Sequence, residues 1–297
     1  MTTLIRTSLA LALAATLTTA TAMPDNWSQP QPPVRLYGNS YYVGSAGLSS
    51  VLIDSGAGLI LLDGTLAKNA PMIEANIRAL GFKLADIKLI LNSHAHADHA
   101  GGIAALAKDS GASVVVSPSG AQALRAGHAV ADDPQAAEKD MDFPPVTTPI
   151  REIADGETLR LGNVAITAHF TPGHTPGSTS WTWRSCEKQR CRDLVFGDSI
   201  YAISSSGFHF RADAAHGDLV PRMRQSIATL AALPCDILVP VHTDSNGLDR
   251  KLAAIVAGKA TSDSLVDTQA CRNYAAQFTR VLDERIAKEK AEAATKH

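Results

Sequence analysis

The sequence lacks an excess of charge of either sign, and this excludes one large class of partners. Its 297 residues carry 27 lysines and arginines against 29 aspartates and glutamates, a formal net charge of −2. Proteins that bind nucleic acid usually show a basic excess or a basic patch. The sequence shows neither, so we expect no nucleic-acid partner. The composition, 45% hydrophobic and 19% charged, is that of a globular protein with a full core.

Long apolar runs are missing after the N-terminus, so no later segment is expected to span a bilayer. Residues 9–15 are apolar, Arg6 precedes them, and an Ala-x-Ala pattern ends at Ala22. These are the parts of a secretory signal peptide. We therefore predict a signal peptide over residues 1–22 and a single periplasmic domain over residues 23–297. A membrane anchor is the alternative, but the apolar stretch is short and is followed by threonines.

Cysteines are few and even in number, which fits a chain exported to a compartment where disulfides form. Cys186 and Cys191 could close a hairpin loop over residues 184–193. Cys235 and Cys271 could join the last strand to the C-terminal helix. The spacing leaves all three pairings of four cysteines open. A cysteine zinc site is also possible, although the histidines described below are better ligands.

Short apolar runs alternate with turn residues along the chain, a pattern typical of mixed strands and helices. Strands are predicted at residues 41–43, 50–53, 59–62, 87–91, 114–116, 150–153, 164–170, 179–183, 194–196 and 237–241. Helices are predicted at residues 72–80, 101–107, 121–124 and 220–233, with one amphipathic, charged helix after residue 242.

Two of the predicted strands, at residues 87–91 and 237–241, share a further feature. Each follows a helix, and each is followed closely by histidine. This indicates two similar β/α halves with a metal site at the edge where their strands end. We predict an α/β fold, an αβ/βα sandwich of two mixed β-sheets with external helices.

The first of these strands leads into the run His94-Ala-His-Ala-Asp-His99. Imidazole and carboxylate groups at this density are typical of sites for zinc and similar divalent ions. Alternate side chains of an extended segment share a face. His94 and His96 can therefore bind one ion, while the turn after them directs Asp98 and His99 toward a second. A solvated polar turn is the alternative interpretation.

Two distant histidines stand where a ligand could be held. His174 lies in the loop at residues 171–178, whose prolines and glycines limit its freedom. His242 directly follows a buried strand. Trp27 could cap the site or simply anchor the N-terminal segment. The remaining histidines are interpreted as surface or core residues: His128, His169, His209, His216 and His297.

Together, the His-x-His-x-Asp-His run, the Pro-Gly-His-Thr loop, Gly-Asp-Ser at residues 197–199 and the strand ending at His242 resemble the metallo-β-lactamase superfamily. Residues 37–44, 232–238 and 270–275 resemble class B, subclass 3 (B3) enzymes in particular. The resemblance covers nearly the whole mature chain and implies the fold predicted above.

The resemblance also implies two Zn²⁺ ions per chain. His94, His96 and His174 would bind the first ion, and Asp98, His99 and His242 the second. Asp63 would orient the ligand run, or would merely be a turn aspartate before a glycine. The remaining implied roles are a disulfide between Cys235 and Cys271 and substrate contacts from Ser199 and Tyr201.

The implied activity is zinc-dependent hydrolysis of the β-lactam amide bond by a metal-bridging hydroxide, giving antibiotic resistance, with Asp98 assisting the proton transfer. The partner would be a small-molecule β-lactam, and the protein would be a monomer. Many other superfamily hydrolases use the aspartate of a Gly-Asp sequence to bridge the metals. In this chain that aspartate would be Asp198, but the B3 resemblance predicts that it points away from the metals. The alternatives are an exported thioesterase or lactonase of the glyoxalase-II type and a non-enzymatic zinc-binding protein. Glyoxalase-II-type enzymes carry an extra helical domain, and the single helix expected after His242 argues against them.

Overall fold

The computed structural model describes residues 23–212 and 216–295, and the predicted signal peptide and His297 lie outside them. The strands are Val34–Tyr37 (β1), Ser40–Tyr42 (β2), Val51–Asp54 (β3), Leu59–Leu62 (β4), Ile87–Leu91 (β5), Ser113–Val116 (β6), Ile150–Glu152 (β7), Thr158–Leu161 (β8), Val164–Phe170 (β9), Thr179–Glu187 (β10), Arg190–Gly197 (β11) and Ile237–Pro240 (β12). The α-helices are Ala70–Ala79 (α1), Ala97–Ala100 (α2), Ile103–Ser110 (α3), Pro118–Ala126 (α4), Val220–Ala232 (α5), Leu248–Val256 (α6) and Ala270–Thr295 (α7).

The strands form two mixed sheets, as predicted. The first sheet contains β1 to β7 in sequence order, antiparallel from β1 to β4 and parallel from β4 to β7. The second has the order β12-β11-β10-β9-β8, with only β12 parallel to its neighbour. Parallel pairs need a crossover, and helices supply it.

Three apolar clusters show how the layers stack. The central cluster combines buried side chains of both sheets, such as Ile53 and Leu62 from the first and Trp181 and Phe196 from the second. A second cluster joins the first sheet to α1, α3 and α4, and a third joins the second sheet to α5 and α7. The layers therefore run helices, sheet, sheet, helices. The predicted αβ/βα sandwich is confirmed.

The two sheets meet at the edge where β12 ends. The segment before β3 pairs with the chain after β12 through an isolated bridge between Leu48 and His242. The Ser49 N–H donates to the Val241 carbonyl at 2.9 Å, and the Thr243 N–H donates to the Gly47 carbonyl at 3.1 Å. These bonds fix the position of His242 against the first sheet, although it follows a strand of the second.

The sequence prediction was wrong about several elements. Strands β1 and β8 were not predicted, because an exposed arginine, Arg35 or Arg160, interrupts each short apolar run. Two α-helices, not one, follow His242, since Leu248 and Leu252 bury one face of the short helix α6. The helix predicted over residues 101–107 begins at Ile103 as α3, and the short helix α2 precedes it where a turn was expected. The hairpin predicted over residues 184–193 is present, but its loop is shorter, because β10 runs to Glu187 and β11 begins at Arg190.

That hairpin is held by a disulfide between directly opposed residues. Cys186 pairs with Cys191 across β10 and β11, and Lys188 turns the chain with a left-handed backbone, φ 55°. A second disulfide joins Cys235, just before β12, to Cys271 in α7. Both pairings are those that the sequence suggested. Among the described residues, no helix is both long and apolar enough to cross a membrane.

The C-terminal part of α7 anchors the loop that follows Gly-Asp-Ser. Glu289 is buried and accepts hydrogen bonds from the N–H groups of Phe210 at 2.8 Å and Arg211 at 3.0 Å. One turn earlier, Arg285 donates to Glu289 at 2.7 Å and to the Phe208 carbonyl at 2.6 Å. The loop is therefore tied to the helix through one buried ion pair.

Replacing this carboxylate should give a pH-dependent loss of stability. Burial by itself raises the pKa of Glu289, but the hydrogen bonds from Phe210, Arg285 and Arg211 outweigh it, and the pKa lies below its ordinary value of 4.5. Such a group stabilises the fold above the unfolded-state pKa and loses that effect as the pH falls through the folded value. Glu289→Gln should lower the free energy of unfolding by about 2 kcal/mol at neutral pH.

Urea denaturation at a series of pH values measures this effect. The difference between wild type and Glu289→Gln should shrink below about pH 5. Glu284→Gln, which removes an exposed carboxylate from the same helix, is the matched control and should change little. A difference that persists unchanged at acid pH would contradict the ionic role of Glu289.

Candidate metal centre

His94, His96 and His174 converge beyond the end of β5. The first two follow that strand, and the third lies in the loop between β9 and β10. Their nitrogens lie within 4.8 Å of one another, and all three residues are buried. Burial and the neighbouring histidines lower the pKa of His94 well below its ordinary value and that of His174 to about 3. Both imidazoles are therefore neutral near pH 7, the state that binds zinc.

Each of these rings is held by an acceptor on one side. The three contacts are the Asp198 carboxylate with His94 Nδ1 at 2.6 Å, the Tyr201 carbonyl with His174 Nδ1 at 3.0 Å, and the Asp133 carboxylate with His96 Nε2 at 3.1 Å. One nitrogen of each ring is left for a metal. The Nε2 atom of His94 is buried and has no hydrogen-bond partner among the described residues.

Asp98, His99 and His242 form a second set beside the first. Asp98 Oδ2 lies 3.0 Å from His99 Nε2 and 3.4 Å from His242 Nε2, and the two Nε2 atoms are 3.2 Å apart. Two ligands of a tetrahedral zinc ion, each about 2.0–2.1 Å from the metal, lie about 3.3 Å apart. The triangle therefore has the size that one zinc ion requires.

The two sets adjoin each other. The ligand atoms of His94, Asp98 and His99 also lie within 4.8 Å of one another. Asp98 Oδ1 is buried without a partner among the described residues. Burial raises the pKa of Asp98, but His99 outweighs this and holds it below the ordinary value, while Asp98 raises the pKa of His99 despite burial. This acid and base therefore stabilise each other's charge.

Asp63 fixes the start of the ligand run. Its Oδ1 accepts hydrogen bonds from the Ser93 N–H at 2.7 Å and the Asn92 amide at 2.9 Å, and its Oδ2 accepts from the Ser93 hydroxyl at 2.5 Å. His99 Nδ1 lies 3.7 Å from Oδ2. These are the contacts of an orienting acid. Asp63 also has the left-handed backbone of a turn residue, φ 58°, so its geometry is compatible with both of the roles considered from the sequence.

The end of the run is held by a close approach of two backbones. The Gly64 N–H donates to the His99 carbonyl at 2.9 Å, and the Gly102 N–H donates to the Thr65 carbonyl at 3.0 Å. A side chain at Gly102 would overlap the Gly64 carbonyl oxygen. The glycines after the run are therefore required for the loop at residues 63–65 to hold α2 in place.

The other predicted site residues are distributed around these sets. Asp198 contacts Nδ1 of His94, while Nε2 of the same ring is the unpartnered nitrogen, and Asp198 belongs to neither group of ligand atoms within 4.8 Å of one another. Ser199 is buried next to it, while the ring of Tyr201 is 42% exposed and packs 5.7 Å from that of Phe278. The ring of Trp27 lies 5.2 Å from that of His242, so the N-terminal segment covers one side of the second set.

Sequence reasoning missed Asp133. It lies in the loop after α4, where no motif or hydrophobic period draws attention to it, and it contacts His96 from 37 positions away. Its only sequence signal is its place in Asp-Asp-Pro, a combination typical of turns. Two of the histidines interpreted as surface or core residues can be followed in the structure. His128 is exposed, and His169 is partly exposed and bonded to Thr182.

Asp63→Ala should loosen the ligand run. Removing the carboxylate leaves Ser93 and Asn92 without their acceptor, so the free energy of unfolding should fall by about 3 kcal/mol. Zinc retained after dialysis, measured by metal analysis, should fall as well. Asp54→Ala removes a partly exposed turn aspartate that caps Gly56 and should cost about 1 kcal/mol with no loss of zinc. Equal zinc retention in the two variants would show that Asp63 does not orient the run.

Comparison with known proteins places this geometry in a family. Residues 34–242 match the family model described as the metallo-beta-lactamase superfamily. Among solved structures, the Rm3 metallo-beta-lactamase is 48% identical with a TM-score of 0.85, and the match covers 89% of this chain and 97% of that one. MEM-A1, a subclass B3 metallo-beta-lactamase isolated from a soil metagenome library, is 45% identical with a TM-score of 0.83 and coverages of 90% and 99%.

A curated relative of a different activity is more distant. The hydroxyacylglutathione hydrolase of Anaeromyxobacter dehalogenans (strain 2CP-C) is 32% identical over 112 residues, which are 38% of this chain. The match spans only 32% of that relative's length. The resemblance to B3 enzymes stated from the motifs is thus confirmed by full-length structural relatives. The chain belongs to the metallo-β-lactamase superfamily.

Proposed function

We propose that this protein is an exported zinc-dependent β-lactamase, which opens the β-lactam ring by hydrolysing its amide bond. The observation that carries the proposal is the convergence of two adjoining sets of three ligands each. Structural zinc sites are usually closed by four protein ligands, whereas catalytic sites keep a position open for water or substrate. The full-length similarity to proteins described as B3 metallo-β-lactamases supports this choice of substrate.

The residues present fit two zinc ions. The donors are imidazoles and one carboxylate, the ligand types that zinc prefers. His94 Nε2 and Asp98 Oδ1 are buried without partners among the described residues, a costly state that a bound cation would relieve. When bound, the two ions would supply an activated water and a Lewis acid for the substrate carbonyl.

The chain's own residues position the substrate and handle the proton. Asp98 stays ionised because of its neighbour His99, so one of its oxygens can accept a hydrogen bond from the attacking water. Ser199 and the exposed Tyr201 would contact the substrate. A cavity of about 540 Å³ is lined by Asp133, which contacts His96, by Gly173, which precedes His174, and by Phe208. It provides room for a substrate side chain.

A chelator test addresses the activity directly. The purified protein should hydrolyse the chromogenic cephalosporin nitrocefin, EDTA should abolish the turnover, and added zinc should restore it. Absence of EDTA-sensitive turnover would contradict the β-lactamase proposal.

A thioesterase is the second candidate, favoured by the partial similarity to the hydroxyacylglutathione hydrolase. The argument against it from a single helix after His242 no longer holds, because two α-helices, α6 and α7, follow that residue. Turnover of a hydroxyacylglutathione thioester without turnover of nitrocefin would support this candidate.

His242→Ala should weaken the second ligand set without unfolding the protein. His242 is partly exposed and follows a strand whose own residues supply the packing. Loss of an outer partner of a metal ligand commonly costs 10–100-fold, and loss of a ligand should cost about 100-fold or more in kcat/KM. Zinc content should fall toward one ion per chain, and the circular dichroism spectrum should be unchanged.

His128→Ala, which removes an exposed histidine far from the ligand sets in sequence, is the matched control and should keep both activity and zinc. Full activity and two zinc ions in His242→Ala would show that the assignment of the second set is wrong.

A further inference from the structure

The orientation of His96 is set by a residue outside every motif. We propose that Asp133 is a positioning residue for the first ligand set, because its carboxylate holds the His96 imidazole so that Nδ1 faces the metal. This inference rests on the proposed zinc binding but not on the identity of the substrate.

The contact between the two side chains is buried and uses both carboxylate oxygens. They lie 3.1 and 3.3 Å from His96 Nε2, and Asp133 is only 5% exposed. A neutral imidazole has one N–H, and an ionised carboxylate can only accept. The N–H is therefore on Nε2, which leaves the lone pair on Nδ1. An acceptor behind a metal-bound histidine also increases the basicity of the ring.

The neighbouring ligand has the opposite arrangement. Asp198 binds Nδ1 of His94, so His94 presents Nε2. The two rings are nearly perpendicular, at 87°, with centroids 4.8 Å apart. In a histidine side chain, Nδ1 lies closer to the backbone than Nε2. The free nitrogen of His96 is therefore closer to its own backbone than the free nitrogen of His94 is. The two acids thus assign opposite nitrogens to two histidines that share one face of the chain.

Asp133 is itself held by backbone groups. Its Oδ1 accepts the Gln135 N–H at 2.8 Å, and its own N–H donates to the Val130 carbonyl at 3.0 Å. The Ser205 N–H donates to the Pro134 carbonyl at 2.9 Å and ties this loop to the one after Gly-Asp-Ser. Within residues 23–212 and 216–295, no lysine or arginine forms an ion pair with Asp133. Of the charged or chargeable side chains, only His96 lies within ion-pair distance of Asp133 in this part of the chain.

Three variants separate the effects of charge and of hydrogen bonding. Asp133→Ala removes both, and Asp133→Asn keeps an oxygen that can accept from Nε2. Asp132→Asn removes an exposed carboxylate one residue away and is the matched control. Zinc affinity is measured by competition with a chromophoric chelator. Asp133→Ala should weaken zinc binding by the first ligand set by about 10–100-fold. Asp133→Asn should weaken it by less, and Asp132→Asn should not weaken it at all.

Imidazole ¹⁵N NMR of the zinc-free wild type provides an independent readout. The His96 ring should carry its proton on Nε2, and Asp133→Ala should give a mixture of both tautomers. Wild-type zinc affinity in Asp133→Ala, or a wild-type proton on Nδ1, would overturn the proposal. If Asp133→Ala does not fold, Asp133→Asn and the wild-type tautomer still decide the matter. A wild type that binds zinc but does not hydrolyse nitrocefin contradicts the proposed function and leaves this test intact.

Discussion

The metal centre depends on acceptors that hold the buried imidazoles from one side. Burial and the neighbouring imidazoles make protonation of these rings costly, so their orientation is fixed by acceptors of their own N–H groups. Asp198, Asp133 and the Tyr201 carbonyl supply that orientation for the first set. Asp63 does the same for the backbone from which the run starts. Asp198 and Tyr201 share the loop after β11, but Asp133 and Asp63 come from distant parts of the chain, so the whole fold is needed to build one site.

The fold brings these parts together because strands of both sheets end at one edge. β5 delivers the ligand run, and β12 delivers His242, 143 positions after His99. The bridge between Leu48 and His242 joins the two sheets there. The close approach of Gly64 and Gly102 then fixes the short helix α2, which carries Asp98 and His99. A site with this many distant contributors requires a rigid core beneath it, and the shared cluster between the sheets provides that core.

Periodicity in the sequence predicted the elements with strong patterns and failed where the pattern is short. The strand at Val164–Phe170 alternates buried and partly exposed residues, and it was found. β8 has one buried side chain and α6 has two, Leu248 and Leu252, so neither offers enough buried positions to distinguish it from a loop. The hairpin at residues 184–193 was predicted, but its strands extend further than expected, because its exposed, charged residues are typical of a loop while the cross-strand disulfide joins them as a strand pair.

The sequence by itself determined the ligand types, the local spacing that puts His94 and His96 on one face, and the even cysteine count. The ligand types and the cysteine count are given by the composition, and the shared face follows from backbone geometry over a few residues. Only the tertiary structure decided which nitrogen of each ring is free, that Asp198 lies behind His94, and that Asp133 contacts His96. Such contacts join residues tens of positions apart, and their geometry depends on how sheets and loops pack. Local spacing cannot encode it.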